Sequence, residues 1–233
     1  GFKSSFYYEV EKSFNVKILN SGSVYLHNIK SKFTQNKVTK KNTILYIDSP
    51  FKKHNIFELD GDFDNILSRK NKICDLFLKL INFNPEIKII FKPFPFSYYQ
   101  NPIFNLKNKL DPKNFEIINS NIINLIHNSD LVLLDSLSTS FAECITMKKP
   151  VLIFGNKLEY TNTSNEGKLI NDNLSSKKII LYKTEDIYNA TNQFFINNDQ
   201  YNLNSSVNFD EFKKLMATPV SMVNFHKNIS DLI

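Results

Sequence analysis

Residues 129–155 read SDLVLLDSLSTSFAECITMKKPVLIFG, and this stretch decides the fold class. Two short runs in it, Leu131–Leu134 and Val151–Phe154, are apolar at every position, and the apolar residues of the segment 140–147 between them recur at helical spacing. A strand that is apolar throughout is covered on both faces of its sheet. Two such strands joined by a helix are parallel and connected by a right-handed crossover. The stretch therefore predicts a strand, a helix and a second strand of one parallel sheet.

The same alternation of strands and helices continues on both sides of this stretch. Further strands are predicted at residues 43–47, 87–91, 115–118 and 178–181. Further helices are predicted at residues 64–83, 102–110, 122–128, 167–173 and 185–196. Thr184 is the predicted N-cap of the last of them. This order predicts an α/β fold, a doubly wound parallel sheet of the Rossmann-like kind with further helices at its C-terminal end.

The regular alternation covers residues 41–197, which we assign to one Rossmann-like domain of ordinary size. Residues 1–40 contain two short apolar stretches around a Ser-Gly-Ser turn signal, and we expect them to lead in from an upstream domain or linker. Residues 198–233 are expected to form helices that pack on the domain or across its junction with another. The two helices predicted there are residues 209–216 and 220–232.

The composition is that of a globular domain. A chain of 233 residues, 42% hydrophobic and 22% charged, is long and apolar enough to bury a core. No apolar run approaches the roughly 18 residues that cross a bilayer. Cys74 and Cys144 both lie in apolar periodic segments, which is typical of small buried side chains. We expect a cytoplasmic protein without a disulfide, a metal site or a cofactor.

The formal net charge of +6 does not predict a nucleic-acid partner. The positive charge comes from scattered lysines, since Arg69 is the one arginine, whereas nucleic-acid interfaces gather arginine and lysine on one face. A solvated surface is the main interpretation. The alternatives are a peripheral association with anionic membrane lipids at the inner face of the cytoplasmic membrane, or attraction of a phosphate-bearing substrate.

Hydroxyl side chains crowd the connection that follows the strand Leu131–Leu134. In open parallel sheets, ligands bind outside the carboxyl ends of the strands. Ser136, Ser138, Thr139 and Ser140 surround the start of a helix, where backbone amides lack partners and the helix dipole favours negative charge. Four hydroxyls exceed what a helix cap requires, so we predict a phosphate site, with a simple N-cap as the alternative.

Two further side chains are candidates at the same edge of the sheet. Glu143 lies three residues after Ser140, where its carboxylate could accept hydrogen bonds from ribose hydroxyls or could simply complement the helix dipole. Lys92 follows the strand 87–91 and precedes Pro93 in the segment KPFP, whose two prolines keep the backbone extended. A cation on an extended loop suits a phosphate, and an ordinary surface lysine is the alternative.

The stretch 129–155 resembles a motif in the C-terminal domain of GT-B glycosyltransferases: an acidic strand end, a serine/threonine cluster, an acidic helix residue and a proline that opens the next strand. CDP-glycerol glycerophosphotransferases carry a similar series. The segment KPFP is similar to a Lys-Pro-His-Pro motif of those enzymes and, in related form, of bacterial capsule transferases. The resemblance covers about residues 41–197. Phe94 stands where the motif has its histidine, and phenylalanine can neither donate a hydrogen bond nor carry charge.

This resemblance implies one half of a GT-B fold, the half that binds a nucleotide-sugar donor. It implies that Ser138 and Thr139 hold the donor phosphates, that Glu143 takes the ribose or donor hydroxyls, and that Lys92 lines the phosphate side of the cleft. The implied enzyme is a glycosyltransferase of capsule or lipopolysaccharide synthesis with a glycan or lipid-linked acceptor. Its acceptor-binding domain is expected upstream.

Two other functions stay open at this point. A nucleotide-sugar 2-epimerase uses the same two-domain fold, and a noncatalytic nucleotide-binding or partner subunit could retain the fold without the chemistry. The sequence assigns no catalytic residue. The candidates on the loop after the strand 43–47 are His54, Glu58 and Asp60, each of which also suits a solvated turn.

Overall fold

One parallel sheet organises the molecule. The computed structural model describes residues 23–33, 42–49, 63–95, 101–155 and 165–196, together with residue 13. Within these residues the strands are β1 (Thr43–Ile47), β2 (Lys88–Lys92), β3 (Phe115–Ile117), β4 (Leu131–Leu134), β5 (Val151–Phe154) and β6 (Ile180–Leu181). Their order across the sheet is β3-β2-β1-β4-β5-β6, and every neighbouring pair is parallel.

Helices connect these strands and flank the sheet. The α-helices in the described residues are α1 (Val24–Phe33), α2 (Phe63–Phe83), α3 (Ile122–Asn128), α4 (Thr139–Thr146), α5 (Asn165–Ser176) and α6 (Thr184–Ile196). The connection from β2 to β3 contains a 3-10 helix, Pro102–Asn108. The predicted α/β class with a doubly wound parallel sheet is confirmed.

The sheet is covered on both faces because successive side chains of a strand point to opposite sides. In β1, Ile44 and Tyr46 face one core, which they share with apolar residues of α2, the 3-10 helix and α6. Leu45 and Ile47 face a second core, which they share with α1, α3, α4 and α5. All five residues of β1 are buried, as expected for a central strand that is apolar at nearly every position.

The ends of some elements differ from the prediction. The predicted bounds are correct for four elements, β1, β4, β5 and α3. The predicted start of β6 at residue 178 is wrong, because the strand begins at Ile180. Helix α5 runs on to Ser176 and ends in a Schellman turn, in which Lys178 takes a positive φ of 57°. The N–H of Ile179 donates to the carbonyl of Leu174 at 2.9 Å, so this residue closes the helix and the strand starts after it.

Residues 24–33, assigned from the sequence to a lead-in segment, form α1, and this helix packs against α4. The division into residues 1–40, 41–197 and 198–233 stays a prediction. Outside the described residues lie the predicted helices 209–216 and 220–232. In the part of the chain that is described, no helix has the length and apolar character needed to cross a membrane.

The strand order reverses at the centre of the sheet. From β1 the chain moves outward to β2 and β3 and then returns to place β4 on the other side of β1. The connections that leave β1 and β4 therefore run to opposite sides, and a crevice opens between the carboxyl ends of these strands. Residues 48–49 follow β1 and residues 135–136 follow β4, so both pairs border the crevice.

Candidate functional site

A cavity of about 380 Å³ opens at the carboxyl edge of the sheet. Its described walls come from the end of β1 with Ile47, Asp48 and Ser49, the end of β2 with residues 92–95, the start of α3, and the connection from β4 to α4. Its volume lies within the roughly 300–1,000 Å³ that is usual for small-molecule sites. The cavity thus has the place and the size of a ligand site in a doubly wound sheet.

Six of the seven side chains that the sequence predicts to bind the donor line this cavity. They are Lys92, Pro93, Ser136, Ser138, Thr139 and Ser140. They come together because β2 and β4 both pair with β1. The seventh, Glu143, does not appear among the described lining residues. The catalytic candidates His54, Glu58 and Asp60 lie outside the described residues, and the binding role of all seven stays a prediction.

The start of α4 presents open hydrogen-bonding groups to the cavity. Ser138 is the N-cap residue, with extended backbone at φ −133° and ψ −179°, but its side chain makes no capping hydrogen bond. Ser138 and Thr139 are exposed residues. Since the first amides of a helix have no partner within the helix, they and the hydroxyls of these two residues can donate to the same ligand. Ser138 therefore occupies the N-cap position without a side-chain capping bond, and the phosphate site at this helix start stays a prediction.

Lys92 provides the positive charge of the opposite wall. It is the last residue of β2, half-buried, and its Nζ donates to Asn119 Oδ1 at 2.7 Å. Burial lowers the pKa of Lys92, because desolvation disfavours the ammonium form. A bound anion would offset that cost. Phe94, at the position of the resembled motif's histidine, is half-buried and lines the same wall.

Glu143 faces α1 and not the cavity. Its Oε1 accepts a hydrogen bond of 2.6 Å from the Tyr25 hydroxyl, while its buried Oε2 has no partner in the described part of the chain. Burial raises the pKa of Glu143, and hydrogen bonds from Tyr25 and Ser140 oppose the rise. Burial and the neighbouring carboxylate raise the pKa of Tyr25 to about 12. Ser140 therefore links Glu143 to the cavity wall.

Two buried carboxylates lie side by side at the crevice. Asp48 continues the face of Tyr46 and Asp135 continues the face of Leu133, and Tyr46 pairs with Leu133 across β1 and β4. Both carboxylates therefore point to the α2 side of the sheet. Lys70 of α2, only 1% exposed, lies between them, and its Nζ bonds to Asp48 Oδ1 and to Asp135 Oδ2.

Further bonds extend this buried network to the neighbouring elements. Asp135 accepts a hydrogen bond of 2.6 Å from the Ser49 hydroxyl and forms an ion pair of 2.8 Å with Arg69. Arg69 also donates to the carbonyls of Asp135 and Phe154, at the ends of β4 and β5. Asp48 Oδ2 accepts from the side chain of Asn101, the N-cap of the 3-10 helix, at 2.9 Å.

The two carboxylates differ in how firmly they hold their charge. Burial raises the pKa of Asp48 to about 6, with a further contribution from Asp135, against the opposing effect of Lys70. Burial acts on Asp135 as well, but the ion pairs with Lys70 and Arg69 outweigh it and hold the pKa of Asp135 well below its usual range. Asp48 is thus the carboxylate of this pair that can change its protonation near neutral pH.

Sequence reasoning missed this network and also Asn119. The signal for Asp48 and Asp135 was present, because each extends a buried strand by one residue of the same face. The signal for Asn119 was its place just after β3, at the same edge of the sheet as Lys92. Lys70 could not be found in this way, because its direction depends on how α2 is rotated against the sheet. Within the described residues, no group of three or more His, Cys, Asp or Glu side chains is placed to hold a metal ion.

Comparisons with known proteins bear on the fold. No protein-family model matches the chain, and no curated protein sequence matches it. Among solved structures, TarM superposes with a TM-score of 0.54 at 11% identity, over 98% of this chain and 42% of TarM. The UDP-GlcNAc 2-epimerase of Methanocaldococcus jannaschii, in complex with UDP-GlcNAc and UDP, gives a TM-score of 0.48 at 17% identity, over 80% of this chain and 51% of the epimerase.

The chain has a Rossmann-like α/β fold, which it shares with TarM. A third similar structure is the pneumococcal O-GlcNAc transferase GtfA, in complex with UDP and GlcNAc, with a TM-score of 0.46 at 9% identity over 85% of this chain and 37% of GtfA. The chain spans less than two thirds of each of these three proteins. At such identities the likeness extends to the fold and not to the reaction.

Proposed function

We propose that this chain binds the nucleotide-sugar donor of a glycosyltransferase that builds a surface polysaccharide on a glycan or lipid-linked acceptor. The observation that carries the proposal is the cavity at the carboxyl edge of the sheet, where Lys92 and the hydroxyls at the start of α4 face the same space. The Rossmann-like fold shared with TarM is compatible with this assignment. The choice of acceptor rests on the resemblance of stretch 129–155 alone.

The diphosphate of the donor would lie at the start of α4. Ser138 and Thr139 offer neutral hydroxyl donors beside oriented backbone amides. Such donors suit an anion, because a carboxylate at this place would repel it and an apolar group could not bond to it. Lys92 would supply the charge from the facing wall, and binding of an anion there would restore some of the solvation that this lysine has lost. Together these groups form a phosphate site without a glycine-rich loop.

Glu143, one turn of α4 beyond Thr139, would accept a hydrogen bond from a hydroxyl of the donor. Its Oε1 is occupied by Tyr25, so its buried Oε2 is the atom left to accept a hydroxyl of the donor. For this the hydroxyl would have to approach past Ser140, which lines the cavity. The catalytic base is left unassigned among the residues described.

Binding by a panel of nucleotides tests the proposal. Thermal unfolding is followed with CMP, CDP, UDP and GDP, and a ligand present at 100 times its dissociation constant should add about 2.7 kcal/mol to the free energy of unfolding. A chain that none of these nucleotides stabilises would contradict the proposal.

The double variant Ser138→Ala/Thr139→Ala tests where the phosphates bind. Hydrogen bonds to a charged group are worth roughly 1.5–3 kcal/mol, so the variant should bind the nucleoside diphosphate at least about tenfold more weakly, with the nucleoside nearly unaffected. Calorimetry measures both affinities. Ser31→Ala/Ser176→Ala is the matched control, because both of these hydroxyls are exposed and donate only to carbonyls of their own helices. Equal losses for diphosphate and nucleoside would count against the phosphate site.

Turnover distinguishes the remaining alternatives. A transferase releases the nucleotide from its donor only when an acceptor is present, an epimerase interconverts nucleotide sugars without one, and a binding subunit does neither. The assay uses the nucleotide sugar whose nucleotide gives the largest thermal shift. Conversion of the sugar without acceptor would replace the transferase assignment by the epimerase one.

A further inference from the structure

A lysine is fully buried beside the cavity, where burial of a charge is costly. Lys70 is 1% exposed, and it bonds to the carboxylates of Asp48 and Asp135, which are 5% and 1% exposed. Taking ions out of water costs several kcal/mol each, and apolar residues of similar size often stabilise a core as well as an ion pair does. Core packing alone therefore does not account for these three charges.

The two carboxylates adjoin the cavity walls on either side of the crevice. Asp48 itself lines the cavity, as does Ser49, whose hydroxyl donates to Asp135 at 2.6 Å. Asp135 is followed directly by Ser136, another lining residue. By bonding to both carboxylates, Lys70 joins the end of β1 to the end of β4 at the place where the crevice opens.

The same lysine sets the charge that a ligand meets. An ionised Asp48 in the cavity wall would repel the anion that Lys92 and α4 attract. Asp48 faces Lys70 of α2, Asp135 just after β4, Tyr46 of β1 and Asn101 at the start of the 3-10 helix. Of these described groups Lys70 is the one with a positive charge, and Arg69 forms an ion pair with Asp135.

We propose that Lys70 is a positioning residue of the cavity: it holds Asp48 and Asp135 together across the crevice and offsets their negative charge, so that an anion binds beside them. The inference rests on the proposed function only in taking this anion to be the donor diphosphate. Lys70 acts through the two carboxylates and touches no ligand itself.

The test uses sulfate as the probe, because sulfate keeps its charge between pH 5 and 9 and does not depend on the nucleotide base. Binding is followed at pH 7.5 through the backbone amide resonances of Thr139 and Ser140. The variants are Lys70→Met, Lys70→Arg, Asp48→Asn and Lys70→Met/Asp48→Asn. Lys79→Met is the matched control, since it removes a lysine from the same helix. The Lys79 side chain is 60% exposed and pairs with Glu185.

Lys70→Met should weaken sulfate binding by about fivefold or more, because it removes one unit of positive charge close to the anion at the effective dielectric of a protein. Lys70→Arg should keep most of the affinity. The double variant should regain most of it, because the carboxylate left without its cation is also gone. A merely structural lysine would give no such recovery. Lys79→Met should bind sulfate as the parent does.

Several results would overturn the inference: a parent that does not bind sulfate, a folded Lys70→Met variant with the parent's affinity, or a double variant as weak as the single one. If Lys70→Met does not fold, Asp48→Asn decides. It leaves an excess positive charge and should strengthen sulfate binding by about fivefold, and an unchanged affinity contradicts the role assigned to Lys70. If sulfate behaves as expected while no nucleotide binds, the proposed function fails and the role of Lys70 stands.

Discussion

Asp48 is held between opposing influences at the end of β1. Burial favours its neutral form, Lys70 favours its charged form, and the balance raises its pKa to about 6. Its position is readable from the sequence, because Ile44, Tyr46 and Asp48 alternate along one face. Its environment is not readable, since it depends on Lys70 and Asn101, which come from other elements.

Replacing Asp48 by asparagine should remove a pH dependence of stability. Because the folded pKa of about 6 exceeds the ordinary value of 3.8, the folded state binds this proton more tightly than the unfolded chain does. The stability so gained is complete below about pH 4 and is lost as the pH rises to about 6. Compared with Asp48→Asn, the parent should therefore lose about 1–3 kcal/mol of unfolding free energy across this range.

Urea unfolding at pH 4, 5, 6 and 7 measures this difference. Asp172→Asn, at an exposed carboxylate of α5, is the control and should follow the parent at every pH. If the parent and Asp48→Asn keep a constant difference across the range, Asp48 does not titrate there.

The residues of the candidate site differ in whether the sequence alone could predict their position. Lys92, Ser136, Ser138 and Thr139 follow from strand ends alone, because carboxyl ends of parallel strands share one edge. Glu143 was placed at the same edge by its spacing, but one turn of helix carries it to the side that α1 covers. Helical spacing fixes the face of α4, and it does not tell which element packs on that face.

At the scale of the elements, helix ends show why boundaries are harder to predict than cores. Helices α4 and α5 both end with a lysine at positive φ, Lys148 at 55° and Lys178 at 57°. This position usually holds glycine, so the sequence carries no signal for either end. The apolar runs of β1, β4 and β5 needed no such signal, because complete burial of each strand demands them.

Helix α1 is attached to α4 by an apolar contact and one hydrogen bond. Leu26 and Ile29 are 3% and 4% exposed in the second core, and Tyr25 donates to Glu143. Tyr25→Phe should lower the free energy of unfolding by about 1–2 kcal/mol, because it takes a donor from a buried carboxylate whose other oxygen has no hydrogen-bond partner among the described residues. Chemical denaturation followed by circular dichroism gives the value.

Lys30→Ala is the control for this contact, since it changes an exposed side chain of the same helix. Its unfolding free energy should stay within about 0.5 kcal/mol of the parent. A stability of Tyr25→Phe equal to that of Lys30→Ala would show that the hydrogen bond contributes nothing and that α1 is held by its apolar residues.

For the whole molecule, the doubly wound sheet explains how much the sequence could predict. A central sheet buried on both faces requires continuous apolar strands and amphipathic helices. Both patterns can be read from consecutive residues of the sequence. The topological rule then places the ligand crevice without any knowledge of side-chain contacts. The Asp48, Lys70 and Asp135 network joins three separate elements through buried charges, and no periodicity of a single segment reports on such a contact.

Large-to-small substitutions in two cores separated by a sheet should change the free energy of unfolding independently. Phe77 of α2 and Phe141 of α4 are both fully buried, the first in the core that contains Tyr46 and the second in the core that contains Leu45. Each change to alanine should cost about 3–5 kcal/mol, from lost burial and the cavity left behind. Phe83→Ala is the control, because that ring is 55% exposed at the end of α2 and its loss should cost far less.

The double variant Phe77→Ala/Phe141→Ala should lose the sum of the two single losses to within about 0.5 kcal/mol, because the sheet lies between the two sites and the two cores have no described residue in common. That sum is comparable with the whole stability of a single domain, about 5–15 kcal/mol, so the double variant is measured from refolding in a stabilising osmolyte. A loss smaller than the sum by more than about 1 kcal/mol would mean that the sheet transmits the relaxation of one core to the other. In that case the cavity at its carboxyl edge would respond to packing on both faces.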